Sequence, residues 1–85
     1  MKTAFGLLAQ YDGAVVIPLD RVCKDYFNLT PDKFLRKVAS GEIKLPIVRM
    51  GSSQKCAKGV HLSDLAAYID ACRDAAIKEQ RGLAS

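Results

Sequence analysis

The sequence has no apolar run approaching the roughly 18 to 20 residues that span a bilayer, which excludes a membrane-spanning helix. The first residues, Met1 to Leu8, carry one lysine and a short apolar patch. They lack a full h-region and a small-residue cleavage site, so a cytoplasmic location is expected. There is no C-x-x-C unit. Cys23, Cys56 and Cys72 are odd in number and cannot all pair within one chain, so buried free thiols in a reducing compartment are expected. His61 beside Cys56 supplies two ligands where tetrahedral zinc takes about four, so neither a metal nor another cofactor is expected. The single histidine has no Ser/Asp or Cys/Asp context. No G-x-x-x-x-G-K-S/T loop occurs and no carboxylate pair stands in a plausible pocket, so an enzyme is not expected. Repeats, low-complexity runs and linkers are absent too. Eighty-five residues sustain one domain with one modest core, not two domains around a deep cleft.

What the chain does have is an ordinary globular composition, 49% apolar and 26% charged, with unevenly placed charge. Residues 30 to 58 hold Lys33, Arg36, Lys37, Lys44, Arg49, Lys55 and Lys58 against Asp32 and Glu42, seven cations minus two anions, or +5. The remainder holds six cations and seven anions, or −1, which together give the net +4. A segregated basic surface is the footprint of a polyanion partner. A merely solvated basic face is the alternative that charge alone leaves open.

Along the chain, Phe5, Leu8 and Ala9 are spaced by three and four, which predicts a short helix over Thr3 to Tyr11. Asp12-Gly13 signals a turn, and the β-branched run Ala14 to Ile17 predicts a short strand or arm ended by Pro18. Leu19, Val22, Cys23, Tyr26 and Phe27 make one buried helix face, with Tyr26 and Phe27 expected in the core, and Asn28-Leu29 breaks the helix. Thr30-Pro31-Asp32 reads as the start of a second helix: a capping hydroxyl, a proline tolerated at the first position, and a carboxylate at the positive dipole end. Phe34, Leu35 and Val38 should face inward while Lys33, Arg36, Lys37 and Ser40 face outward, and Gly41 stops the helix. Leu45 to Met50 and Gly59 to Leu62 predict two strands around a polar loop. Ser63 should cap a longer helix whose stripe is Leu65, Tyr68, Ile69, Cys72 and Ala76, packed across the first two helices.

The expected fold is therefore α+β, mostly α: a small winged helix-turn-helix domain with a β-hairpin wing and a longer C-terminal helix. Residues 1–18 form an N-terminal helix/strand extension, 19–41 the helix-turn-helix, 45–62 the wing and 63–81 the C-terminal helix. Nucleic-acid binding at this scale needs cations for phosphates and a few side chains that read base edges. Lys33, Arg36 and Lys37 lie within one helical turn, and Arg36 suits bidentate guanine contact. Whether it reaches a base or a phosphate is open. Thr30 sits at a helix N-terminus, where backbone N–H groups favour a phosphate. Lys44 adds charge after that helix. In the wing, Ser52, Ser53 and Gln54 are short donors and acceptors beside Arg49, Lys55 and Lys58. An ordinary flexible turn is the plain alternative, and the excess charge favours a backbone or minor-groove contact.

The stretches Gln10-Tyr11-Asp12-Gly13 to Leu19, Cys23 to Phe27, Phe34 to Met50 (FLRKVASGEIKLPIVRM) and Ser52 to Asp70 (SSQKCAKGVHLSDLAAYID) resemble the pyocin activator protein family, over about residues 1 to 73. These are small bacterial and prophage-borne activators of phage-tail-like bacteriocin genes. The order of elements is also similar to excisionase-like and MerR-like winged domains, a likeness of architecture. The family resemblance implies double-stranded promoter DNA as a partner and activation through RNA polymerase. The alternatives are an excisionase-type architectural protein that bends DNA, and a phage-derived adaptor whose basic face docks an acidic protein. A homodimer is left open: the apolar residues Phe5, Leu7, Leu8, Val15, Val16 and Ile17 are either a pairing surface or a further side of the core.

Overall fold

The computed structural model describes residues 3–52 and 56–84. Helix α1 (Thr3–Gln10) leads into strand β1 (Val16–Pro18), then α2 (Leu19–Val22), whose last residues continue as a π-helical turn over Cys23–Phe27. Helix α3 (Pro31–Ala39), strands β2 (Val48–Arg49) and β3 (Lys58–His61), and the 23-residue α4 (Leu62–Ala84) complete the chain. The result is an α+β fold, mostly α, with a three-stranded antiparallel sheet ordered β1-β3-β2. Register pairs Ile17 with Val60 on one side of β3, and Val48 with Gly59 on the other. Gly59 is there because a Cβ would stand 2.5 Å from the Ile17 carbonyl oxygen, too close for any side chain.

The helix pair forms as its residues dictate. Asn28 takes the left-handed conformation (φ 53) that Asn tolerates, and this ends the π-helical turn. Thr30 then caps α3, its hydroxyl oxygen accepting the Lys33 N–H at 3.3 Å. Gly41 (φ 82) reverses the chain after α3, so that the Glu42 and Ile43 N–H groups both donate to the Lys37 carbonyl. Phe34, fully buried, anchors α3 and meets Phe27 edge to face with centroids 4.9 Å apart. Leu35 and Val38 pack half-buried beside it.

Several expectations are corrected. Leu45 to Met50 is not one strand. Ile43 and Leu45 turn into the core, Pro46 has no N–H to donate, and only Val48 and Arg49 pair. Within residues 1–18, β1 is a strand of the sheet, and Leu7, Tyr11 and Ile17 form part of the core, the second of the two readings left open for that apolar segment. On α1 the buried side chain is Leu7, while Phe5 and Leu8 face out. The C-terminal helix begins at Leu62, not after Ser63. Its cap is His61, whose Nδ1 accepts the Ser63 N–H at 3.1 Å, and the Leu62 N–H donates to the Val15 carbonyl. This helix packs mainly along α1 and reaches the helix pair through the Phe27–Tyr68 ring contact. Its stripe stays covered as far as Ile69; Cys72 and Ala76 are exposed.

Of the three thiols only Cys23 is buried; Cys56 is half-buried and Cys72 exposed. Burial, then the Asp20 carboxylate, push the Cys23 thiol above its usual range, which keeps it un-ionised and inert. Tyr26 is exposed rather than core, its hydroxyl donating to Gln10 Oε1 at 2.6 Å. Tyr11, only 3% exposed, donates to Asp25 Oδ2 at 2.7 Å with the Arg21 guanidinium 4.7 Å over its ring. These bonds tie the α1–β1 turn to the helix pair. Among the described residues no helix is long and apolar enough to cross a membrane.

Candidate nucleic-acid interface

Helix α3 carries its apolar residues on one side and its cations on the other, because Phe34, Leu35 and Val38 recur at helical spacing and drive that side inward. Lys33, Arg36 and Ser40 are exposed on the outer side. Lys37 shares that side, but its ammonium is paired with the Glu42 carboxylate that Gly41 swings back over the helix end. The Ser40 hydroxyl donates to the Lys37 carbonyl at 3.0 Å, so this end of the helix is braced by its own polar groups.

The chain then returns along α3. Leu35, Val38, Ala39, Leu45, Pro46 and Ile47 form the floor of a groove, and Arg36 and Arg49 stand at it from two different elements. Arg49 lies on β2 directly opposite Lys58 of β3, and the Met50 N–H donates to the Ala57 carbonyl at 2.9 Å to close the hairpin. Side chains directly opposite across an antiparallel pair lie on one face, so two cations sit together at the base of the hairpin. Ser52 is exposed in the turn beyond it. Ser53, Gln54 and Lys55 lie outside the described residues.

Not every basic residue joins this surface. Lys44 follows the buried Ile43, and its side chain lines a separate shallow recess with Glu42, Asp64, Tyr68 and Ala71 against α4. Thr30 is exposed at the start of α3, its hydroxyl oxygen already engaged by the Lys33 N–H. The arrangement therefore brings Arg36 and Arg49 to one groove, with Lys58 opposite Arg49 and Lys33 one turn before Arg36 on α3, and sets Lys44 in a separate recess. Sequence reasoning missed the apolar floor between the two arginines. The alternation Ile43, Leu45, Ile47 carried a signal for it, since it marks a segment with one side against the core, and Leu45, Pro46 and Ile47 of that segment line the groove. Among the described residues no group of three or more His, Cys, Asp or Glu side chains is arranged to hold a metal.

Chemically, this face offers guanidinium and ammonium donors around an apolar floor, suited to an anion that also presents apolar surface. Two helices joined by a tight turn and followed by a hairpin, with cations along the outer side, define a class of small α+β domains. Within that class, a family model described as Pyocin activator protein PrtN matches residues 3–76, most of the 85-residue chain, and the protein belongs to this family. The family is one of transcriptional activators. No curated protein and no solved structure matches the chain.

Proposed function

We propose that this protein is a sequence-specific, double-stranded DNA-binding activator of pyocin or related prophage genes, acting in the cytoplasm as a winged helix-turn-helix. The convergence of Arg36 from α3 and Arg49 from β2 on one groove carries this reading. On it, α3 enters the major groove, with Lys33 and Arg36 facing bases and flanking phosphates. Arg49, Lys58, Ser52, Ser53, Gln54 and Lys55 contact the backbone beside it, while Lys37 and Lys44 contribute less. Thr30 and the first N–H groups of α3 lie near a phosphate. Family membership supports a role in activating pyocin genes; promoter DNA as the target and RNA polymerase as the machinery recruited are part of this proposal.

The experiment is a titration of labelled promoter duplex against duplex of scrambled sequence, at several salt concentrations. Tighter binding to promoter, with salt-dependent affinity for both, supports the reading. Equal affinity accompanied by strong bending favours an architectural role of the excisionase type. Absence of binding to either duplex removes the reading and leaves an acidic protein as the partner of the basic face.

A further inference from the structure

The N-terminal segment has more apolar side chains than one side of a small core absorbs, and the fold divides them. Leu7 and Ile17 are buried, whereas Phe5, Leu8 and Val15 remain 64%, 39% and 60% exposed. Phe5 and Leu8 stand three residues apart on α1, with Ala9 one further, so they share the helix face that turns away from Leu7. Leu8 and Val15 also line one recess with Ala14, His61 and Leu62, which makes the patch continuous from α1 to the start of the sheet. Scattered exposed apolar residues need no explanation, but a continuous patch marks an interaction site. Beside it lies β1, an end strand with no strand neighbour on its outer edge among the described residues.

We propose that this surface pairs with the same surface on a second copy of the chain, forming a two-fold symmetric dimer. Charge selects the occupant. Helix α1, Thr3–Gln10, contains no ionisable side chain, although the chain carries a net +4. Two copies can therefore approach through this face without like-charge opposition, and an isologous interface requires such self-compatibility. A nucleic acid finds no cation on that helix to neutralise its phosphates. Placement agrees. The patch sits at the β1 edge of the sheet and the Arg36–Arg49 groove at the β2 edge, with β3 between them. Two copies joined at their β1 edges leave both cationic grooves uncovered.

The test is sedimentation equilibrium of the full chain without DNA, across micromolar concentrations, so its outcome is separate from whether any duplex binds. Wild type is expected to dimerise. Phe5→Glu and Val15→Glu, at sites already exposed and so compatible with folding, should each weaken dimerisation about tenfold or more. Together they should give a folded monomer that still melts cooperatively, lower than wild type only by what dimerisation contributes and no longer dependent on protein concentration. Met50→Glu places the same charge on an exposed apolar site at the hairpin, 67% exposed, and should leave the dimer intact. A wild type that stays monomeric throughout overturns the proposal. So does a dimer that Phe5→Glu and Val15→Glu leave unmoved.

Discussion

Arg49 and Lys58 stand directly opposite one another on β2 and β3, two cations facing across a ladder only two residue pairs long. Like charges in that relation oppose strand pairing, and nothing in the local sequence requires them. Replacing Arg49 with threonine, a better strand former without charge, should raise stability by a few tenths of a kcal/mol to about 1 kcal/mol. Duplex affinity should fall in the same variant. Chemical denaturation and DNA titration side by side measure both. A variant that loses stability would show that the arginine supports the hairpin instead of serving a partner.

The Lys37–Glu42 pair makes a prediction of opposite sign. Both side chains are largely exposed, at 40% and 61%, so the ion pair is worth about 0 to 1 kcal/mol. Glu42→Gln should leave the melt nearly unchanged. It should strengthen duplex binding a few-fold, because the Lys37 ammonium is released towards the outer side of α3. Weaker binding in this variant would mean that Glu42 positions Lys37 instead of masking it.

How much of this was legible in the sequence depended on whether the deciding interaction was local. The start and stop of α3 were legible because Thr30, Pro31 and Gly41 act within their own turn. The basic side of α3 was legible for the same reason, since helical spacing places Phe34 and Arg36 on different sides. Pairing between distant segments was not. That Ile17 meets Val60, and that β1 therefore belongs to the sheet, depends on residues more than forty apart in sequence. The Lys37–Glu42 pair was hidden because the left-handed turn at Gly41 brings together residues that helical spacing alone would separate. The capping role of His61 was hidden because it exists only once β3 runs straight into α4.

That cap can be tested directly. His61→Ala removes the acceptor of the Ser63 N–H and should cost about 1 kcal/mol, the usual worth of a helix N-cap. His61→Asn offers a side-chain oxygen at the same position and should recover most of that loss. Thermal melts of the three proteins decide it. Equal stability of His61→Ala and wild type would show that water satisfies the Ser63 N–H as well as the imidazole does.

Tyr11 sets an alkaline limit. Burial first, then the hydrogen bond to Asp25 and its charge, hold the phenol well above its usual value of about 10. The folded state thus keeps a proton that the unfolded chain gives up above that pH. The contribution is fully present below pH of about 10 and is lost as pH rises further. Stability should therefore fall with pH on the alkaline side, and Tyr11→Phe should flatten that part of the profile. The same variant loses a hydrogen bond to a charged acceptor, about 1.5 to 3 kcal/mol, at neutral pH. A profile as steep in Tyr11→Phe as in wild type would assign the alkaline loss to another group.

Whether α3 and the hairpin form one cationic face for duplex DNA is measured most directly by the salt dependence of promoter binding. If three to five cations contact phosphate, log K should fall against log[salt] with a slope of about −3 to −5 per protomer. Arg36→Ala should weaken promoter binding about tenfold or more, while its stability stays within about 0.5 kcal/mol of wild type because the site is exposed. Phe34→Ala, at a fully buried site, should instead lose about 3 kcal/mol or more of stability and serves as the control for folding. A slope near zero, or Arg36→Ala binding promoter as tightly as wild type, would contradict the assignment of this face to DNA.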